Sequence, residues 1–219
     1  MNEHWPYDAV RVHGPDAQTY LHSQLSQDLR ALAVGERAWS FVLQPTGKVD
    51  ALVEVHRRAE EDYELRVDRG GGEGLIARLN RFRIRVKAEV TPASGSEGDP
   101  AAYLVERVAA GWPALGAEIT ETTIPGELPD VVAVAVSFTK GCYPGQELVE
   151  RMDSRAAQAP RHLVQLDVGA DATAGDPIVV GGAEVGALTS VAGGRALGFV
   201  KRGVDIASLA QGPRSRPQG

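Results

Sequence analysis

A single cysteine, Cys142, in 219 residues excludes an intramolecular disulfide framework and any metal site built from several thiolates of one chain. No apolar run approaches the ~18 residues of a membrane span, and the opening MNEHWPYDAV has neither the basic region nor the apolar stretch of a signal peptide. The sequence therefore predicts a cytoplasmic protein with no membrane partner. A phosphate-cradling P-loop, a G-x-G-x-x-G opening a helix, an HExxH and a G-x-S-x-G are all missing. His4, His13, His22, His56 and His162 are scattered without ligand spacing, so no metal is expected. Lysine is also scarce, with four residues against 19 arginines, and a net charge of −6 argues against a general nucleic-acid binder.

What is present is ordinary globular material. Hydrophobic residues make up 43% and charged residues 24%, enough for one or two buried cores, and 25 glycines with 13 prolines suit turn-rich β structure. After Gly14-Pro15, the residues Ala17, Tyr20, Leu21, Leu25 and Leu29 recur at helical spacing and predict a first helix over 15–30. Two extended runs, 38–43 and 49–55, flank Gln44-Pro45-Thr46-Gly47-Lys48 as a hairpin. Tyr63, Leu65 and Val67 alternate as a third strand, and a glycine-rich turn at 70–72 leads into a helix carrying Leu75, Ile76 and Leu79.

The next segment, 81–87, alternates strictly. Read as a strand, it puts Phe82, Ile84 and Val86 on one face and Arg81, Arg83, Arg85 and Lys87 on the other. That basic wall is either a solvated outer face or an anion-binding surface. Residues 91–100 have the composition of an exposed loop, and the core resumes in the apolar run Val131 to Val136. From Arg161 short alternating strands, 162–168, 177–180, 184–191 and 195–201, predict a small β-barrel or meander. The expected organisation is an α+β body with an antiparallel sheet over 1–158, a C-terminal β-barrel-like domain over 159–207 and a frayed tail from 208 to 219.

The most informative segment is Lys140-Gly141-Cys142-Tyr143-Pro144-Gly145-Gln146-Glu147. It joins the only thiol to a lysine, two glycines that permit tight turns, and a Gln-Glu pair where a helix through Met152 begins. A thiol beside a lysine and near a helix N-terminus is biased toward thiolate; the alternative is an inert buried cysteine packed as a small hydrophobe.

This octapeptide closely resembles the K-G-C-Y-x-G-Q-E signature of the YgfZ branch of the aminomethyltransferase (glycine-cleavage T-protein) superfamily. Gly14-Pro15-Asp16-Ala17 through Asp28 resembles the family's first helix, Leu43 to Lys48 its hairpin turn, and Gly175-Asp176-Pro177-Ile178 with Gly186 to Ser190 its C-terminal barrel. The resemblance implies a folate-binding α+β body closed by the barrel, tetrahydrofolate as ligand, iron–sulfur client or assembly proteins as partners, and Cys142 with Lys140 as the reactive pair in a loop shaped by Gly141, Tyr143, Gly145, Gln146 and Glu147. Trp39, Phe41 and Trp112 are candidates for the pterin slot, and the basic wall of Arg81, Arg83, Arg85 and Lys87, Arg83 and Arg85 above all, is the candidate for the glutamate tail. The chain departs from the T-proteins in a shortened middle, between about 91 and 125, and in reading Asp68-Arg69-Gly70-Gly71-Gly72 after the third strand. Two alternatives are a folate-dependent aminomethyl transferase, with Asp50, Glu54 or Asp68 as general base, and a protein-interaction module that has lost folate.

Overall fold

The computed structural model describes residues 3–154 and 159–204. The boundary set at 158 and the tail from 208 lie outside the described residues. No helix among them is long and apolar enough to cross a membrane.

The body is built on a five-stranded antiparallel sheet. Its strands are β1 (Tyr7–His13), β2 (Arg37–Leu43), β3 (Val49–Ala59), β4 (Asp62–Asp68) and β5 (Glu89–Ser96), in the order β2-β3-β4-β1-β5. The expected hairpin is β2–β3, with Trp39 opposite Glu54 and Phe41 opposite Leu52. Alternation gives the sheet two faces. On one, Val10, Val12, Val53, Val55, Leu65 and Val67 pack under α1 (Ala17–Gln24) and α2 (Gly72–Phe82), through Tyr20, Leu21, Leu75 and Leu79. On the other, Phe41, Leu43 and Leu52 meet the chain from Ile119 to Val149, including α4 (Pro129–Ala135) and α5 (Gln146–Ser154), and Phe199 of the C-terminal sheet.

Three expectations need correction. The first helix stops at Gln24 rather than 30, because Leu25 adopts extended backbone and bridges to Val42. Residues 81–87 are not a strand: α2 runs through Phe82, whose ring lies 4.1 Å from the Arg78 guanidinium, and the chain then turns through Arg85 at φ +56°. The seven-residue alternation is the end of a helical stripe followed by a loop, and Ile84 is left exposed. Nor are residues 91–100 a loop. Residues 89–96 form the edge strand β5, where Pro92 costs no ladder bond that an interior strand would need, and Gly95 is required because a Cβ there would lie 2.2 Å from the Tyr7 carbonyl oxygen. Asp99 then caps α3 (Pro100–Ala109), accepting from the backbone N–H groups of Ala101 and Ala102.

The C-terminal β region is a four-stranded antiparallel sheet of β6 (Arg161–Asp167), β7 (Pro177–Val180), β8 (Ala183–Ala192) and β9 (Arg195–Lys201), ordered β6-β9-β8-β7. It has its own small core of Val164, Ile178, Leu188, Ala196 and Val200. Polar contacts fasten it to the body. Arg161 forms an ion pair with buried Glu127 at 2.9 Å, and Arg107 of α3 and Glu118 meet Thr189 and Ser190 of β8 in a buried network.

Candidate functional site

A cavity of about 460 Å³ opens beside α2, between the helix and the start of β3. Its wall is built from sequence positions 70, 71, 74, 77, 78 and 81, which recur at the helical period and so share one side of the segment. Three of these are glycines. A Cβ on Gly70 or Gly74 would meet nothing within 4 Å, so these positions leave open the space a side chain would fill. Val42, Ala51, Leu75 and Leu115 supply apolar surface, while Asp50, Arg78 and Arg81 supply charge.

The polar groups are positioned by a continuous network. Arg78 donates to the Gln24 side chain at 3.2 Å and to the Leu43 carbonyl at 2.8 Å. Its Nε lies 3.3 Å from Asp50 Oδ2 but is misaligned for a hydrogen bond, leaving an ion pair with one buried donor unpartnered. Burial pulls the guanidinium below its ordinary pKa, and Asp50 opposes that shift. Asp50 Oδ1 accepts from the Gln44 amide at 2.8 Å. The N-terminus of α2 is held by Asp8, whose Oδ2 accepts from the backbone N–H groups of Gly70 and Gly72.

The Cys142 loop stands on the same elements. Lys140 is buried, and its ammonium donates to the carbonyls of His22, Leu25 and Gln27 at the end of α1, 4.9 Å from the centre of the Tyr143 ring. Burial pushes its pKa down to about 8. All three of its protons are therefore committed to carbonyls, which makes it an anchor at the helix C-terminus. Tyr143 packs in the second core, and its N–H donates to the Gln146 side chain at 3.2 Å. Gly145, at φ +81°, presses against the β2–β3 turn. Glu147 lies in the first turn of α5. Between the anchors, Gly141 and Cys142 are exposed, so the thiol is free and open to solvent.

Trp39 and Trp112 are brought together, with ring centres 4.7 Å apart, and Trp5 lies 5.5 Å from Trp39. Trp39 and Trp112 pack against the second core, and none of the three lines the cavity. Asp68 sits behind it, accepting from Trp5 Nε1 at 2.7 Å and Leu115 N at 2.7 Å; burial raises its pKa. Arg83 and Arg85 lie on the loop after α2, outside the cavity lining. Arg83 donates to Asn80 and to the Ala88 carbonyl, closing the end of the helix. Of the expected basic wall only Arg81 lines the cavity, and the second cation there is Arg78. The sequence signal for Arg78 is the four-residue step from Gly74 to Arg78 on one face of the helix that follows the turn at 70–72.

On the second face of the sheet, Glu54 is buried and its Oε2 lacks a hydrogen-bond partner, with Arg66 at 3.7 Å. Burial raises its pKa, against the opposing fields of Arg37 and Arg66 and with the field of Glu64. A carboxyl with a raised folded pKa contributes its full stability below the unfolded value and loses it as pH rises through the folded value. Glu54→Gln does not titrate, so its stability relative to wild type is expected to increase from about pH 4 to about pH 7. Urea unfolding at the two pH values checks this; an unchanged difference would mean that Glu54 ionises as readily as in water.

Among the described residues, no group of three or more His, Cys, Asp or Glu side chains is placed to hold a metal ion. No family model matches the chain. An uncharacterized protein of Haemophilus influenzae (strain ATCC 51907 / DSM 11121 / KW20 / Rd) is 26% identical, over 69% of this chain and 68% of the relative. Among solved structures, the glycine cleavage system aminomethyltransferase T from Bartonella henselae superposes with a TM-score of 0.75 at 17% identity, covering 89% of this chain and 76% of that one. The cavity, the glycine wall and the anchored thiol loop are thus carried on an aminomethyltransferase-like fold.

Proposed function

We propose that this protein binds a tetrahydrofolate-type cofactor in the cavity beside α2 and acts as an accessory factor in iron–sulfur cluster assembly or maintenance, presenting Cys142 to client proteins. The observation that carries the reading is the built cavity. Its volume of about 460 Å³ suits a small-molecule cofactor. A carboxylate, Asp50, and two guanidinium groups, Arg78 and Arg81, line it. A reduced folate offers both hydrogen-bond donors and acceptors on a flat ring and carboxylates on its tail. Asp50 and Arg78 would hold the polar ring edge or linker, and the exposed Arg81 would take a carboxylate. The bound folate would supply a carrier for one-carbon units or a redox-active ring; the chain's own residues bind it and orient it. The partnership with iron–sulfur clients rests on the octapeptide signature. One thiolate does not hold a cluster alone, so Cys142 would act together with groups of a client or a second copy.

Anaerobic calorimetry with tetrahydrofolate tests the cofactor. Saturable binding is expected. Gly74→Leu, which enters the cavity from a wall position where a Cβ meets nothing within 4 Å, is expected to abolish it, whereas Gly74→Ala should raise stability by about 1 kcal/mol through helix propensity alone. Absence of binding to the wild-type chain overturns the folate reading. For the client role, Cys142→Ala is expected to fail to restore iron–sulfur enzyme activity in a deletion strain; full restoration removes the thiol from the function.

The placement of Asp50 in the cavity wall favours a second reading, aminomethyl transfer with Asp50 as general base. Formation of methylene-tetrahydrofolate from an aminomethyl donor, lost in Asp50→Asn, would support it over the accessory role.

A further inference from the structure

We propose that the cavity and the Cys142 loop form one functional unit, in which a ligand on the Asp50–Arg78 pair sets the reactivity of the thiol. The identity of the ligand rests on the folate reading; the coupling rests on the geometry. Each foot of the loop stands on a residue network that ends in the cavity. On the C-terminal side, Gly145 packs on the carbonyl oxygen of Gln44, which would lie 2.6 Å from a Cβ at that position, and the side chain of the same Gln44 holds Asp50 at 2.8 Å. Gly47 in that turn is also covered by Leu148 of α5, whose Cβ would lie 2.5 Å from a Cβ on Gly47. On the N-terminal side, Lys140 takes the carbonyls of His22, Leu25 and Gln27, and Gln24, within that stretch, takes Arg78 at 3.2 Å.

The link between the two networks is the misaligned Arg78–Asp50 pair. The Arg78 side chain is 9% exposed, lines the cavity and has no hydrogen-bond partner at Nε. A ligand that donates to Asp50, whose side chain is 27% exposed at the cavity wall, competes with the 3.3 Å ion pair and so redistributes the bonds to Gln44 and Gln24. Those are the two side chains that connect the pair to the turn and to the α1 terminus on which the loop is anchored. By linkage, a client engaged at Cys142 changes ligand affinity by the same factor that ligand changes its affinity for the client.

The test is the rate of maleimide alkylation of Cys142 in the full chain, followed by mass spectrometry at fixed pH. Gln44→Ala and Gln24→Ala are each expected to change the rate about fivefold or more, the lower range of coupling between sites. Asp167→Asn, on an exposed side chain of β6, is the control and leaves it unchanged. Rates within about twofold of wild type for both glutamine variants, with native circular dichroism, overturn the proposal. If the alanine variants fail to fold, Gln44→Asn, one methylene shorter, is read in their place. Saturating tetrahydrofolate should shift the wild-type rate and leave that of Gly74→Leu unmoved. Folate that binds by calorimetry without changing the rate overturns the coupling and spares the folate reading. A rate that responds to Gln44 and Gln24 in a chain that binds no folate supports the coupling and overturns that reading.

Discussion

Replacing Glu118 by alanine is expected to destabilise the protein by about 3–5 kcal/mol, because it leaves a buried arginine without its counter-charge. Glu118 is fully buried, and its two oxygens accept four bonds: Arg107 Nη1 at 2.9 Å and the Ala114 N–H at 3.0 Å on one, the hydroxyls of Thr189 and Ser190 at 2.6 Å on the other. A carboxylate has about four such lone-pair positions, so every one is occupied. Arg107 is itself buried and donates a further bond to Ser190 at 2.6 Å. The network spans α3, the loop before Ile119 and β8, which means that its loss also loosens the C-terminal sheet from the body. Urea unfolding followed by two probes checks both effects: the midpoint should fall, and tryptophan fluorescence, which reports Trp5, Trp39 and Trp112 in the body, should cease to coincide with circular dichroism. The double variant Arg107→Met/Glu118→Leu should recover much of the loss, since the apolar pair buries no charge. A shift below about 1 kcal/mol for Glu118→Ala would show that water reaches the site and replaces the bonds.

The second large effect is expected within the octapeptide itself. Gly145→Ala should cost about 2–3 kcal/mol, since φ is +81° and the new Cβ would lie 2.6 Å from the Gln44 carbonyl oxygen, a backbone atom with little freedom to retreat. Gly141→Ala, four residues earlier, should change stability by no more than about 0.5 kcal/mol, because its Cβ meets nothing within 4 Å and its backbone is not left-handed. Thermal unfolding of the two variants side by side separates the anchored end of the loop from the exposed one. Equal losses would mean that the motif is constrained along its whole length.

Composition and periodicity were sufficient for the first hairpin, the third strand, the helix after the glycine run and the antiparallel C-terminal strands, because each buries one face and so repeats its apolar residues with its own period. They were insufficient where tertiary contact overrides local pattern. The edge strand β5 is written in Thr, Pro, Ala, Ser and Gly, and it exists because β1 offers it a partner. The alternation at 81–87 is real as a pattern and irrelevant as a strand, because Leu75 and Leu79 hold the preceding turns of α2 in the first core and the helix continues to Phe82.

The division for the site is similar. Sequence alone determined which eight residues carry the thiol, and the two φ-permissive, space-demanding roles open to its glycines. Only the fold decided that Gly145, not Gly141, bears the steric load, that Lys140 spends its protons on the carbonyls at the end of α1, and that Asp50 of the first hairpin and Arg78 of α2 meet at one cavity, with Gln44 and Gln24 bonded to them from the β2–β3 turn and the end of α1. The reason is physical: a turn or an amphipathic face is a local property, fixed by neighbouring residues, whereas a hydrogen-bond partner tens of residues away exists only after packing has brought it within reach.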